Sequence, residues 1–446
     1  MDLKNKIIRR KAKIGVVGLG YVGLPLAVEY ASRGFITVGI EIDKDKVEKL
    51  NKGENYILDV NSEKVKKLVK NGKLLAINDY SCVDTLDVIF ICVPTPFKEN
   101  KDPDISHILD ATENIAKKLR PGQIIILKST TFPTTTENYV LPILEETGLK
   151  VGKDFFLAFS PERIDPGNKK WNLSNTPVIV GGVTAECTRL AELVIKQVSK
   201  NVHTVSSPRV AEMAKLLENI FRSVNIALVN ELAQLCDRVG GIDVWEVIEA
   251  ASTKPFGFMP FYPGPGIGGH CILVDPYYLA WFAKAYDFHT NFIELAAETN
   301  EAMPFYVANL ILREISKIPK TLEDVRILFL GVAYKKNVND TRLSPAFKIM
   351  EILINEGAKN IFYNDPFVPE VSLNGIKFKS IELTAESLNS FDLVVITTDH
   401  SVYDFDFIAR NSRIIIDTRN ATGKVKNNVA KIIKLGGGGN CNRKQI

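Results

Sequence analysis

Cys271 follows the run Gly264-Pro265-Gly266-Ile267-Gly268-Gly269-His270, and Asp275-Pro276 comes four residues after it. Glycines let a backbone approach a ligand closely and still hinge. A thiol beside such a loop and near a carboxylate can act as a nucleophile. Taken alone, Cys271 reads more readily as a small buried hydrophobe. Its meaning depends on what the other polar residues supply. Lys215 and Asn219 lie four apart in a helical run over 211–239, so they share one face, with Glu218 and Arg222 nearby. By itself that pattern reads as a solvated face. The loop from Ser160 to Asn168 carries Glu162, Arg163 and Asp165 directly after an apolar stretch.

The elements that must position these residues begin with a short apolar strand over 13–17. Gly18-Leu19-Gly20-Tyr21-Val22-Gly23 follows at once, then a helix over 24–33, Gly34, and a strand over 35–40 that ends at Glu41. A lone GxGxxG says little; strand, GxGxxG, helix, strand and acid in that order mark a dinucleotide site. Gly18 permits the tight turn, Gly20 the approach of the pyrophosphate, and Gly23 close packing of helix on strand. The helix N-terminus then offers N–H groups and a positive dipole end to the phosphates. Glu41 is expected to take the ribose 2′-hydroxyl and to repel a 2′-phosphate, which favours NAD over NADP. Asp43 competes for that role and reads otherwise as the N-cap of a helix over 44–50.

Apolar strands over 87–93, 123–127 and 155–159 end in Pro94-Thr95-Pro96, Ser129-Thr130-Thr131 and Ser160-Pro161-Glu162. Ligands of open α/β sheets sit at the carboxyl ends of strands. That puts Thr95 and Thr130 where they can touch a cofactor, although each singly reads equally well as a turn hydroxyl. Strands over 178–182 and 201–205 complete the sheet. The strand signal then stops. Helices are expected over 211–239, 244–250, about 276–284 and 293–315, the last connecting two domains and carrying a subunit interface. A second α/β region follows, with strands over 326–331, 360–363, 392–397 and 413–416 and a helix from Ser344-Pro345 to Asn355. It has no GxGxxG. Its strand-end loops hold Lys335, Arg342 and Arg419, cations suited to a diphosphate-bearing substrate.

The expected fold class is therefore α/β: two Rossmann-like doubly wound domains joined by a central all-helical domain. The expected divisions are 1–206, 207–318 and 319–435, with 436–446, opening on four glycines, as a flexible tail without function. The 446 residues are 46% hydrophobic and 24% charged, as in soluble globular chains. A net charge of +4 without a basic tract gives no reason to expect nucleic acid as a partner. Six dispersed cysteines suit a reducing, cytoplasmic setting. His107, His203, His270, His289 and His400 show no metal-ligand spacing, so no metal is expected. No apolar run precedes Lys13 or is long enough to span a bilayer, so neither a signal peptide nor a membrane partner is expected.

Together these segments resemble one family, the nucleotide-diphosphate-sugar 6-dehydrogenases. The matching stretches are Gly18 to Pro25, Val93-Pro94-Thr95-Pro96, Ser129-Thr130-Thr131, Ser160-Pro161-Glu162-Arg163, Lys215 with Asn219, Gly268-Gly269-His270-Cys271 to Asp275, Gly331 to Arg342 and Asp417-Thr418-Arg419. They run in the family's order across nearly the whole chain. The resemblance implies an NAD domain, a helical domain that makes a homodimer or higher homo-oligomer, and a UDP domain. The reaction it implies oxidises a sugar C6 alcohol to a carboxylate with two NAD per turnover, through a Cys271 thiohemiacetal and thioester.

By the same resemblance Lys215 and Asn219 stabilise the oxyanion, Asp275 and Thr130 position or activate water, and Glu162 is the base of thioester hydrolysis, with Asp275 the alternative. It implies NAD contacts from Gly18, Gly20, Tyr21, Val22, Gly23, Glu41, Thr95, Thr130 and Arg342. It implies contacts to the UDP-sugar from Glu162, Arg163, Ile164, Lys215, Asn219, Tyr262, Gly268, Lys335 and Arg419.

Ser160-Pro161-Glu162-Arg163 with Asp165-Pro166-Gly167-Asn168 resembles the N-acetylhexosamine enzymes of the family. The segment from Ser252 to Pro260 looks like the UDP-N-acetylglucosamine branch and lacks the His-Pro-Arg common in the mannosamine branch. UDP-N-acetylmannosamine, UDP-N-acetylgalactosamine and UDP-glucose stand as alternatives. A β-hydroxyacid dehydrogenase would need neither Cys271 nor a second α/β domain. A non-catalytic nucleotide sensor would not be expected to keep Cys271, Lys215, Asn219, Glu162 and Asp275 together.

Overall fold

A computed structural model describes residues 2–439 except 58, 59, 99, 166, 167, 169, 270 and 427; of Cys271 it describes the backbone only. Contacts group the chain into two units, Met1–Glu218 with Tyr277–His289, and Asn219–Pro276 with Thr290–Ile446.

The first unit begins with α1 (Leu3–Ile8), β1 (Lys13–Val17), α2 (Gly23–Ser32), β2 (Ile36–Ile40), α3 (Lys44–Asn51), α4 (Ser62–Lys70) and β3 (Leu74–Ile77). It continues with β4 (Val88–Ile91), α5 (Ser106–Ala116), β5 (Ile124–Leu127), α6 (Leu141–Glu145), β6 (Phe156–Phe159), β7 (Val178–Gly182), α7 (Ala185–Ile195) and β8 (Val202–Thr204). The sheet order is β3-β2-β1-β4-β5-β6-β7-β8. Strand order reverses between β1 and β4, the switch point where such sheets open a crevice. Every residue of β4 and β5 is buried, because helices cover both faces of a parallel sheet. Alternate side chains build two cores: Val16, Phe90 and Ile126 on one face, Val17, Ile89, Ile91 and Ile125 on the other. β7 alone runs antiparallel to its neighbour, β6.

α8 (Pro208–Val239) and α10 (Cys271–Lys284) each pass from one unit to the other, with α9 (Val244–Ser252) between them and α11 (Asn291–Ile315) after. The second unit then holds β9 (Arg326–Leu330), α12 (Pro345–Asn355), β10 (Asn360–Asn364), the hairpin β11 (Glu370–Leu373) and β12 (Ile376–Lys379), and α13 (Ala385–Ser390). β13 (Leu393–Ile396), α14 (Phe405–Asn411), β14 (Ile414–Asp417) and β15 (Lys431–Lys434) complete it. Its parallel sheet is ordered β10-β9-β13-β14-β15. In units of the domain's own strands that is 2-1-3-4-5, the flavodoxin order, with its switch point between β9 and β13. No helix among the described residues is long and apolar enough to cross a membrane.

Several expectations need correction. α10 starts at Cys271 and not near 276: Pro276 lies inside the helix, although proline there resembles a first-turn signal. The last strand is β15 and not 413–416; it is a lysine-flanked edge strand, a polar-looking pattern that protects sheet edges. Nor do the first residues past 435 form a free tail. The Gly436 N–H donates to Asp237 Oδ2 at 3.1 Å, the Gly436 carbonyl accepts from Val244 N–H at 2.9 Å, and the Gly438 carbonyl accepts from Gly241 N–H at 2.8 Å. Residues 440–446 lie outside the described residues.

Candidate active site

In the first unit, β1 ends against the glycine turn. A Cβ on Gly23 would sit 1.8 Å from the Gly18 carbonyl oxygen, so no other residue allows α2 to start this close to β1. Nothing lies within 4 Å of a Cβ built on Gly20, which leaves that side open. Val22, the N-cap of α2, makes no side-chain cap hydrogen bond. Open space, an uncapped helix N-terminus and a nearby acid fit a dinucleotide pyrophosphate and ribose. The acid is Glu41. It is 8% exposed; Oε2 accepts the Leu19 N–H at 2.9 Å and Oε1 the Asp43 N–H at 3.2 Å. Asp43 caps α3, accepting from Asp45 and Lys46 N–H at 3.0 and 3.3 Å. Those bonds, that from Lys46 foremost, hold its carboxyl below the usual range. Tyr56 closes the back of the turn, its hydroxyl donating to the Leu19 carbonyl at 3.0 Å. Exposed Tyr21 and half-buried Val22 lie on the same turn.

Thr95 is buried after β4, and its carbonyl accepts from the Tyr278 hydroxyl at 2.7 Å. Thr130, after β5, is half-buried and its hydroxyl has no hydrogen bond among the described residues. The turn that follows is held by Glu212, on α8, which sequence reasoning missed. Oε2 accepts the Thr134 N–H at 2.7 Å; Oε1 accepts the Thr136 N–H and hydroxyl at 2.9 and 2.7 Å. Burial pushes the Glu212 carboxyl up to about 7 against these bonds. One turn along α8, Lys215 is 8% exposed and its ammonium has no hydrogen bond or ion pair among the described residues.

After β6, Glu162 Oε1 accepts the N–H groups of Arg163 and Ile164 at 2.8 and 2.9 Å. Oε2 lies 3.4 Å from Lys128 Nζ. The Arg163 side chain is engaged elsewhere, clamped on both oxygens of Glu218 and donating to the Pro177 carbonyl at 2.9 Å. Arg163 therefore ties its loop to α8.

In the second unit the glycine loop leads into α10. The Gly264 N–H donates to Asn230 Oδ1 at 2.9 Å; Asn230 donates to Asn300 Oδ1 at 2.9 Å; Asn300 donates to the Ser223 carbonyl at 3.0 Å. This buried chain anchors the loop to α8 and α11. The Gly269 N–H donates to the Arg342 carbonyl at 2.9 Å. A Cβ on Gly268 would meet the Tyr334 Cβ at 2.5 Å, and one on Gly264 would meet Arg419 Nη1 at 2.6 Å. Gly268 thus lets the loop pack against the region after β9, and Gly264 lies against the Arg419 side chain after β14. Cys271 opens α10. Asp275, on the same helical face one turn later, is buried and accepts the carboxamide N–H of Asn219. His270 lies outside the described residues.

The cations named for the substrate stand at the switch point of the second sheet. The Arg419 guanidinium donates to the Thr397 carbonyl at 2.9 Å. Lys335 sits half-buried on the loop after β9. That loop is fixed by a buried pair sequence reasoning missed: Asp365 Oδ2 accepts Val332 and Ala333 N–H at 2.8 and 3.0 Å and lies 3.0 Å from His400 Nε2. His400 Nδ1 accepts the Asn337 N–H at 2.9 Å. Arg342 pairs with Asp340, and exposed Tyr262 stacks on Trp245 at 5.8 Å between ring centres.

A glycine turn facing a held acid in one sheet, and a second parallel sheet with cations at its switch point, define an NAD-dependent enzyme with a second nucleotide-binding region. Comparison with known proteins gives the family. The chain matches the UDP-glucose/GDP-mannose dehydrogenase family in its NAD binding domain over 12–199, its central domain over 209–302 and its UDP binding domain over 328–424. It is 35% identical to UDP-N-acetyl-D-glucosamine 6-dehydrogenase of Pseudomonas aeruginosa, over 88% of this chain and 91% of that one. It is 37% identical to UDP-N-acetyl-D-mannosamine dehydrogenase of Pyrococcus horikoshii, over 92% and 95%. A solved structure of UDP-D-ManNAc dehydrogenase from Pyrococcus horikoshii superposes with a TM-score of 0.86 at 34% identity, covering 96% of this chain and all of that one. The chain belongs to the UDP-glucose/GDP-mannose dehydrogenase family and is an NAD-dependent nucleotide-sugar dehydrogenase.

Proposed function

We propose that this chain oxidises the C6 alcohol of UDP-N-acetylglucosamine to the uronic acid through covalent intermediates on Cys271. The observation that carries the reading is Asp275, buried one turn beyond Cys271 and hydrogen-bonded by Asn219. The Gly18–Gly23 turn, Glu41, Thr95, Thr130 and Arg342 would hold NAD, which would supply the hydride acceptor for both oxidations. Cys271, at a helix N-terminus that favours negative charge, adds to the C6 aldehyde. Lys215 and Asn219 donate to the oxyanion, which a poised donor stabilises more strongly than it does the ground state. The thioester carbon then takes water. Asp275 and Thr130 position that water and Glu162 accepts its proton. The C–S bond breaks and the thiolate is restored. Ile164, Tyr262, Gly268, Lys335 and Arg419 hold the UDP-sugar, and Arg163 serves by tying its loop to α8 through Glu218. The division at 435 falls with the bonds of Gly436 and Gly438, and those at 206 and 318 belong to the same reading. So does a homo-oligomer, supported by the exposed stripe Leu228, Leu232, Leu235 and Val239 on α8.

The sugar rests on the segment from Ser252 to Pro260 and its missing His-Pro-Arg. Relatives named for N-acetylglucosamine and N-acetylmannosamine match almost equally well. Initial NADH rates with UDP-N-acetylglucosamine, UDP-N-acetylmannosamine, UDP-N-acetylgalactosamine and UDP-glucose in parallel test it. Preference for the first by about tenfold or more in kcat/KM is expected. A lead by another sugar overturns the branch and leaves the family standing.

A further inference from the structure

Lys128 directly follows β5, a strand otherwise buried and apolar. Its side chain is 5% exposed. A lysine this deep loses most of its hydration and persists where an anion or a ligand repays the loss. Among the described residues its ammonium has one partner, Glu162 Oε2 at 3.4 Å. The two oxygens of Glu162 are not equivalent. Oε1 is held by two backbone N–H groups, whereas Oε2 is buried and accepts no hydrogen bond among the described residues. Cys92, on the strand-end beside them, is buried, and burial pushes its thiol up to about 12, so it does not compete as an anion.

We propose that Lys128 is a positioning residue for Glu162, its ammonium fixing Oε2 as the oxygen that takes the proton of the hydrolytic water. The inference rests on the reading of Glu162 as the base. In that step the water oxygen bonds to the thioester carbon, one water proton passes to Oε2, the C–S bond breaks, and Cys271 leaves as thiolate. Both oxidations come earlier and do not need Lys128.

The test uses the full chain with NAD and whichever UDP-sugar turns over fastest in the parallel assay. Lys128→Met should lower steady-state kcat about 10²-fold. The KM for NAD should stay within about twofold, since ground-state cofactor binding is untouched. A first-turnover burst of two NADH per active site should survive, and acid-quenched protein should carry the sugar acyl group as a mass adduct. Lys128→Arg should restore most of the rate. Should Lys128→Met not fold, Lys128→Gln, equally neutral and polar, takes its place. Glu162→Gln is run beside them. If it gathers the adduct and the Lys128 variants turn over normally or slow without adduct, the Lys128 inference is overturned alone. If Glu162→Gln gathers no adduct, the base assignment is overturned and this inference with it.

Discussion

The carboxamide of Asn219 donates to the carboxylate of Asp275, so a residue on α8 fixes the acid one turn into α10. Both side chains are buried, at 8% and 2% exposure. In a dry setting a carboxylate's orientation depends on such donors, and losing one leaves the charge costly.

Removing that donor should harm both stability and turnover. Asn219→Ala is expected to lose about 1–3 kcal/mol of stability, from the hydrogen bond lost at a buried charge. Its kcat should fall about 10²–10³-fold, the usual effect of deleting an oxyanion donor. Denaturant unfolding and NADH production measure the two effects separately. Asn219→Asp sets two carboxylates in contact and should be worse at neutral pH, recovering in part under acid as one becomes protonated. Wild-type kcat in Asn219→Ala would remove Asn219 from the chemistry.

Glu41 is tied by the Leu19 N–H of the cofactor turn and by the Asp43 N–H, and the Asp43 carboxylate caps α3. Glu41→Ala should therefore weaken NAD and narrow its preference over NADP, because the carboxylate that repels a 2′-phosphate is gone. Titrations with both cofactors check this. An unchanged preference would assign the ribose contact to another acid.

Glu212 makes the protein's stability depend on pH near neutrality. Its folded carboxyl is raised from the usual 4.5 to about 7 by burial. A raised pKa means that the folded state binds the proton more tightly than the unfolded chain. Its contribution is fully present below the unfolded value and is lost as pH rises through the folded value. Between those limits the loss is about 3 kcal/mol by linkage. Glu212→Gln removes the titration, so its melting temperature should vary less than that of the wild type between pH 4.5 and 7. Equal pH dependence in both proteins would refute the assignment.

The glycine turn, the acid after β2 and the strand-end loops were legible because their signals are local: fixed spacing, a strand before, a helix after; the spacing of Lys215 and Asn219 puts them on one face of α8 but reads as solvated, whereas both are buried. What escaped depends on distant partners. Lys128 follows an apolar strand like any surface lysine, and only the fold brings it to Glu162. Glu212 sits in a helix with no spacing cue, and its partners lie more than seventy residues away. The glycines after β15 resemble a linker until Asp237, 199 residues earlier, receives the Gly436 N–H. Pro276 misplaced the start of α10 because a proline inside a helix and one in its first turn look alike in sequence.

On the proposed mechanism, Cys271 divides the reaction into parts that can be counted. Cys271→Ser should retain NAD binding, because the cofactor residues lie elsewhere in the sequence. It should lose uronic acid formation by at least about 10³-fold, since a hydroxyl is a far weaker nucleophile than a thiolate. Calorimetry with NAD and product analysis together check both halves.

The most direct measurement is the number of NADH released per UDP-N-acetylglucosamine consumed, with the product identified. Two NADH and a uronic acid are predicted, because the aldehyde stays bound to Cys271 until the second oxidation. One NADH with a free aldehyde would contradict the covalent mechanism and leave the Cys271 loop without the role assigned to it.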